Sequence, residues 1–352
     1  MKSVRPTTRE AVVVSFDVPE HLRERYRFTQ GQFLTIEAPI DGESVRRSYS
    51  ICAAPSEGEL RIAIKRVADG RFSSWAHDAL VPGAAIRVAP PEGRFHVPLD
   101  PANRKGYLAF AAGSGITPVI SIVRHTLETE PQSRFTLVYG NRSSSHVMFR
   151  DELQDLKDRY LERLTLLFVM SREPQDFELF SGRIDRTKCD ALLESWVDPA
   201  GVDAAFICGP QEMTIAVAAS LESHGIPKQR IRTELFVAGP RAARPPTPAA
   251  TNTAAELCAA YAILDGRRRE FTIAKGKETV LEAGLRAGLD LPYSCKGGVC
   301  STCRVVLLEG DVDMDVHYAL EDYEIARGFI LTCQSFTATP TLGIDVDSHS
   351  HV

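Results

Sequence analysis

Over the first hundred residues, apolar positions come in short β-rich runs. They are Val12-Val13-Val14, Phe33-Leu34-Thr35-Ile36, Ser48-Tyr49-Ser50-Ile51, Leu60-Arg61-Ile62-Ala63-Ile64 and Ile86-Arg87-Val88. Turn signals such as Asp41-Gly42 and Pro82-Gly83 separate them, which predicts an antiparallel barrel. A turn at Asp69-Gly70 then opens a helix over 72–80. From residue 105 the pattern changes. Apolar strands at 107–111, 135–139, 164–170, 204–208 and 230–236 alternate with helical stretches at about 116–130, 148–160, 186–196 and 211–224. Strand–helix alternation predicts a doubly wound α/β domain with a parallel sheet. Ligands bind such sheets at the carboxyl ends of the strands.

The pattern lapses from 238 to 256, where Pro240, Pro245, Pro246 and Pro248 sit among Ala, Thr and Arg. Too few apolar groups are present to bury, so this stretch reads as a linker that permits domain motion. Beyond it, Asp265-Gly266 between Tyr261-Ala262-Ile263-Leu264 and Phe271-Thr272-Ile273 signals a hairpin. A helix at 279–287, a strand at 304–308, a helix at 320–327 and a strand at 329–332 complete a small α+β unit. The expected division is therefore 1–103, 104–237, a linker at 238–256, and 257–352.

Composition adds limits rather than an identity. The 352 residues are 44% hydrophobic and 25% charged, as in an ordinary globular protein. No run of 18 or more apolar residues is present, so no transmembrane helix is expected. Met1-Lys2-Ser3-Val4-Arg5-Pro6 has no apolar core of a secretory signal. A cytoplasmic location is expected, with no membrane or nucleic-acid partner. Residues 1–256 hold 32 Lys+Arg and 32 Asp+Glu, while 257–352 hold 9 and 14, so the last part carries the net charge of −5. That acidity gathers at Glu309, Asp311, Asp313, Asp315, Glu321, Asp322 and Glu324. It reads either as a solvated face or as one that steers toward a basic partner.

Cysteine spacing changes the picture most. Cys295, Cys300 and Cys303 stand as C-x4-C-x2-C, and Cys333 follows thirty residues later. This is the plant-type ferredoxin spacing for a [2Fe–2S] cluster held by four thiolates. A zinc site is the alternative, but zinc ribbons usually pair C-x2-C with C-x2-C. The other four, Cys52, Cys189, Cys208 and Cys258, are scattered, as in a reducing compartment.

Other candidate residues stand at turns and strand ends. Arg47-Ser48-Tyr49-Ser50 offers a guanidinium fork for phosphate and an aromatic ring for a flat ligand. Downstream, Ile64 and Lys65 end a strand, and Gly70-Arg71-Phe72-Ser73 is G-x-x-S at a helix start, where N–H groups and a hydroxyl can bind phosphate. Taken alone, Ser73 is a helix cap. Gly113-Ser114-Gly115-Ile116-Thr117 follows a strand and begins a helix, so a pyrophosphate could approach its N-terminus. Cys208-Gly209-Pro210-Gln211-Glu212-Met213 follows the fourth strand of this domain; a buried apolar role is the plain reading of its thiol. Ser171-Arg172 and Arg142 also lie at strand ends, and Phe236 closes the last strand.

These stretches resemble the ferredoxin–NADP reductase family fused to a C-terminal plant-type ferredoxin of β-grasp fold, as in reductase components of multicomponent bacterial oxygenases. Gly31-Gln32-Phe33, Pro91-Glu92-Gly93-Arg94-Phe95, Tyr139-Gly140-Asn141-Arg142, Tyr318-Ala319-Leu320 and Leu331-Thr332-Cys333-Gln334 add to the likeness. The resemblance implies FAD in the barrel: Arg47 at the pyrophosphate, Tyr49 against the isoalloxazine and Ser50 at its N5 edge. It places Thr117 and Cys208 beside the nicotinamide and Phe236 on the opposite flavin face. Ser171-Arg172 would hold a 2′-phosphate, which favours NADPH over NADH. The implied partner is a diiron oxygenase component, with a Rieske-type oxygenase as the alternative. A redox sensor or a simple electron carrier is the rival of another class.

Overall fold

The computed structural model describes residues 1–236 and 256–350. The chain forms two compact units, Met1–Phe236 and Val237–Val352. The linker expected at 238–256 lies outside the described residues except for Glu256.

The first unit opens with β1 (Ser3–Thr8), β2 (Ala11–Phe16), β3 (Phe33–Ile40), β4 (Glu43–Ser50), β5 (Leu60–Lys65), α1 (Arg71–Ala79) and β6 (Arg87–Val88). All pairings are antiparallel, in two three-stranded sheets ordered β1-β2-β5 and β4-β3-β6. The bridge from Ile51 to Ile62 joins the two sheets. Leu34, Ile36, Ile51, Ile62, Ile64 and Phe72 fill the space between them. β1 is a strand that the hydrophobic pattern does not announce. Its Pro6 has no N–H to donate, and the strand lies at a sheet edge, where that is tolerated.

The same unit continues with β7 (Gly106–Ala112), α2 (Ile116–Thr129), β8 (Arg134–Asn141), α3 (Arg150–Arg159), β9 (Leu164–Met170), α4 (Arg186–Trp196), β10 (Ala204–Cys208), α5 (Gln211–Ser223) and β11 (Ile231–Glu234). The sheet is parallel throughout, in the order β11-β10-β7-β8-β9. Both faces are covered, which is why β7 and β10 are almost wholly buried. The last strand stops at Glu234, two residues short of its expected end.

Barrel and α/β part are joined by a network of charges. Arg61 of β5 and Arg124 of α2 both reach Glu57 and Glu152, with Arg61 Nη2 2.8 Å and Arg124 Nη2 2.6 Å from Glu152 Oε2. Both guanidinium groups are nearly buried, at 7% and 9% side-chain exposure.

The second unit holds β12 (Leu257–Leu264), β13 (Arg267–Ala274), α6 (Val280–Arg286), β14 (Arg304–Glu309), β15 (Val312–Met314), α7 (Asp322–Ala326), β16 (Phe329–Leu331), β17 (Ser335–Thr337) and β18 (Thr341–Asp345). One sheet runs β13-β12-β18-β14-β16, and β15 pairs with β17. Asp265 and Gly266 both adopt positive φ in the two-residue turn between β12 and β13, the geometry that matches strand twist. Thr279 caps α6: its side chain accepts from Glu282 N, and the Glu282 carboxylate accepts from Thr279 N. Among the described residues no helix is long and apolar enough to cross a membrane.

Candidate functional site

Pairing of β3 with β4 sets Leu34 opposite Tyr49 and Phe33 opposite Ser50. Strand alternation sends Arg47 and Tyr49 to one face of β4 and Ser48 and Ser50 to the other. The two adjacent arginines differ in role. Arg46 Nε donates to Glu37 at 3.0 Å, whereas Arg47 is exposed and makes no ion pair among the described residues. Arg47 is thus the guanidinium open to a phosphate. Tyr49 packs on Phe72 with ring centroids 5.7 Å apart, and Phe72 on Trp75 at 5.4 Å. Burial is the main cause that raises the Tyr49 phenol above its ordinary pKa, so it stays neutral. Ser48 Oγ lies 3.3 Å from Thr35 Oγ1, and Ile64 is fully buried behind the strand.

Gly70 immediately precedes α1, and Ser73 lies in its first turn. The Ser73 hydroxyl is buried and already engaged: it accepts from Val67 N and donates to Gly70 O, both at 3.1 Å. It braces the turn, which leaves the backbone N–H groups of the first turn of α1 as the donors at this end.

In the parallel sheet the strand order reverses between β7 and β10, which marks the crevice where such folds take ligands. Gly113-Ser114-Gly115 makes a tight turn into α2. A side chain on Gly115 would place its Cβ 2.0 Å from the Cys208 carbonyl oxygen, so only glycine lets α2 sit against the end of β10. Tyr139 Oη donates to Gly113 O at 2.9 Å, and Thr117 Oγ1 donates to Ser114 O at 3.0 Å. Cys208 is fully buried, and burial pushes its thiol well above the usual range. Pro210 caps α5, and Met213 lies over Gly209, where a Cβ would be 2.5 Å from its Cε. Lys65 reaches the same place: its Nζ would stand 4.0 Å from a Cβ on Gly113.

One strand further along, Ser171 N donates to Asn141 O and Arg172 N to Arg142 O, both at 2.8 Å. The ends of β8 and β9 therefore carry Arg142, Ser171 and Arg172 side by side. Arg172 is exposed and has no ion pair among the described residues. Glu173 next to it is occupied: its carboxylate accepts from both Ser144 N and Ser144 Oγ, which lower its pKa.

Glu234 is a member of this crevice that sequence reasoning missed. It stands opposite Cys208 in the pairing of β10 with β11, and Ser50 Oγ donates to its Oε2 at 3.3 Å. Burial raises the carboxyl to about 8, opposed by the Ser50 hydrogen bond. The barrel's Ser50 and the sheet's Cys208 and Glu234 thus meet at one point. The only hint in the sequence was an acidic residue two positions before Phe236. Phe236 itself lies beyond the strand and is exposed.

In the second unit the thiol of Cys295 interacts most strongly with that of Cys300, and the thiol of Cys303 with that of Cys333. The Cys300 thiol holds the Cys295 thiol down to about 6 against burial, with the N–H groups of Gly297, Val299 and Cys300 adding to it. Gly297 N is 3.3 Å from Cys295 Sγ. The loop needs positive φ at Lys296 (53°), Gly298 (74°) and Ser301 (56°) to turn its N–H groups inward. Among the described residues no group of three or more His, Cys, Asp or Glu closes around a single ion. The C-x4-C-x2-C spacing with a distant fourth thiol suits two irons with two thiolates each rather than one tetrahedral zinc. Thr302 Oγ1, within the loop, is buried beside the Cys300 thiol, whose pKa it lowers, so a hydroxyl donor stands next to a candidate ligand sulfur. The residues fit a [2Fe–2S] cluster.

Three family models cover these parts in turn: an oxidoreductase FAD-binding domain over residues 3–97, an oxidoreductase NAD-binding domain over 110–219, and a 2Fe-2S iron-sulfur cluster binding domain over 262–338. One component of the 1,2-phenylacetyl-CoA epoxidase of Escherichia coli (strain K12) is 43% identical over 98% of this chain and 96% of its own. The ferredoxin reductase component of the 3-ketosteroid-9-alpha-monooxygenase of Rhodococcus rhodochrous is 33% identical over 98% and 95%. Among solved structures, phthalate dioxygenase reductase, described as a modular structure for electron transfer from pyridine nucleotides to [2Fe–2S], superposes with a TM-score of 0.59 at 25% identity, over 97% of this chain and 95% of that one. The chain belongs to the flavin-dependent oxidoreductases in which FAD-binding, NAD-binding and [2Fe–2S] ferredoxin domains are fused, the family of oxygenase reductase components.

Proposed function

We propose that this chain is the NADPH-dependent reductase of a phenylacetyl-CoA epoxidase, acting in the cytoplasm on a diiron oxygenase partner in phenylacetate catabolism. The end-to-end 43% identity to the epoxidase component, spanning all three domains on both sides, carries this reading. The domain division follows 1–103, 104–237 and 257–352, with 238–256 as linker. The buried free thiols of Cys52, Cys189, Cys208 and Cys258 suit a reducing compartment.

When bound, FAD supplies the conversion of a two-electron hydride into single electrons, and the [2Fe–2S] cluster a one-electron exit. The chain's own residues bind and orient. Arg47 and the first turn of α1 hold flavin phosphates, and Tyr49, braced by Phe72, lies against the flat ring. The turn Gly113-Ser114-Gly115 and Lys65 hold the nucleotide pyrophosphate, with Thr117, Cys208, Gly209, Pro210 and Met213 shaping the nicotinamide end and Phe236 the facing side. Ser50 Oγ and Glu234 Oε2, already hydrogen-bonded, can hold a proton at the crevice. NADPH is favoured because Arg172 is an exposed guanidinium without an ion pair among the described residues, while the Glu173 carboxylate, which a ribose diol would need, is taken by Ser144. Cys295, Cys300, Cys303 and Cys333 are the cluster ligands.

The test is reconstitution with candidate oxygenases. NADPH oxidation coupled to epoxidation is expected with a phenylacetyl-CoA epoxidase hydroxylase complex. Coupling to a ketosteroid hydroxylase component instead would overturn the assignment.

A further inference from the structure

One buried side chain ties the two ends of the ligand set together. Gln334 is 2% exposed. Its Nε2 donates to Lys296 O at 3.0 Å, to Cys333 O at 3.0 Å and to Cys333 Sγ at 3.4 Å. All three neighbours are acceptors, so they fix which end of the amide faces them. One N–H serves Lys296, and the other is shared between the carbonyl and the sulfur of Cys333. The Lys296 carbonyl belongs to a residue at φ +53°, directly after the first ligand, Cys295. Gln334 Cγ fills the space beside Gly298, where a Cβ would come within 3.1 Å. The Gln334 backbone is held as well, with Gln334 N donating to Leu331 O at 2.9 Å and its carbonyl accepting from Asp315 N at 3.1 Å. This amide therefore spans 38 positions of sequence, from the ligand loop to the residue just before β17.

We propose that Gln334 is a positioning residue for the iron–sulfur centre. Its amide clamps the Cys295 loop to the fourth ligand, and its N–H on Cys333 Sγ makes the cluster easier to reduce. A hydrogen bond to a ligand sulfur stabilises the more negative, reduced state over the oxidised one, so removing it shifts the potential downward. The inference rests on the four cysteines being the ligands. Wild-type protein without an iron–sulfur signal would fail that assignment rather than this one.

The test uses the full chain with Gln334→Met, which removes the amide, and Gln334→Glu, which keeps length and shape while removing the N–H donors. Midpoint potential is read by spectroelectrochemistry, and iron release by a chelator assay. Both variants are expected to show a more negative potential and iron release faster by about tenfold, the scale for loss of a supporting contact behind a metal ligand. Flavin content should stay at the wild-type level. A variant pair that retains flavin but takes up no iron is the extreme of the same outcome and supports the clamp. Wild-type potential and release in both variants would overturn it. So would a defect in Gln334→Met alone, because the amide would then be only a space-filler.

Discussion

The Ser50 hydroxyl donates to the Glu234 carboxylate at 3.3 Å, joining the strand that carries the flavin motif to the last strand of the nucleotide-binding sheet, 184 residues away. Burial raises this carboxyl from 4.5 to about 8. A group whose folded pKa is raised contributes stability below its unfolded pKa and loses it as pH climbs through the folded one. Urea unfolding should therefore show the first unit losing stability between about pH 4.5 and pH 8, with Glu234→Gln flattening that decline. The same variant should flatten the pH dependence of flavin reduction above neutrality. A decline unchanged in Glu234→Gln would mean that another group is responsible.

Cofactor choice is expected to follow the guanidinium at the end of β9. Arg172→Ala should lower kcat/KM for NADPH by roughly 100-fold, the scale of losing a charge-assisted fork to a phosphate, and leave NADH nearly unaffected. Steady-state kinetics with both nucleotides decide it. Equal losses with the two would remove Arg172 from the 2′-phosphate.

Glu10 stands among basic side chains at the nucleotide crevice. Glu10 lies 3.6 Å from Lys65 and 3.9 Å from both Arg142 and His146. It occupies charge that a pyrophosphate would otherwise meet, so Glu10→Gln should tighten NADP⁺ binding by about threefold at low salt, the scale of an exposed ion pair. Calorimetric titration measures it. Weaker binding would instead make Glu10 a support for those side chains.

The charge network between barrel and sheet should matter to stability more than a surface pair would. Removing Arg124 leaves Glu57 and Glu152 with Arg61 alone, so Arg124→Met is expected to cost about 2 kcal/mol, short of a fully buried pair because both carboxylates are partly exposed. Urea unfolding of the flavin-loaded protein reads it directly.

What could be read from the sequence was local. Helices α2, α4 and α5 match their expected bounds within about one residue, because apolar periodicity and the Gly and Pro punctuation at Gly115 and Pro210 act over a few positions. The Asp265-Gly266 hairpin was legible for the same reason. Strands β1, β15, β17 and β18 were not: they are short or polar, and their pairing partners supply what makes them strands. Residue types at the site were legible, but their engagements were not. Nothing local distinguishes Arg46, taken by Glu37, from Arg47, or shows that the Ser73 hydroxyl is spent on its own turn. Glu234 and Gln334 act through neighbours 184 and 38 positions away, a distance that no motif spans.

The pairing of Cys303 with Cys333 has a further meaning during synthesis. Three of the thiols lie within one nine-residue stretch and leave the ribosome together, but the fourth follows only after β14, β15, α7 and β16 have been made. A nascent chain can offer iron at most one complete thiol pair until then. Four thiolates are available only once β16 and Cys333 have been made, so a complete centre requires a chain that extends past that strand.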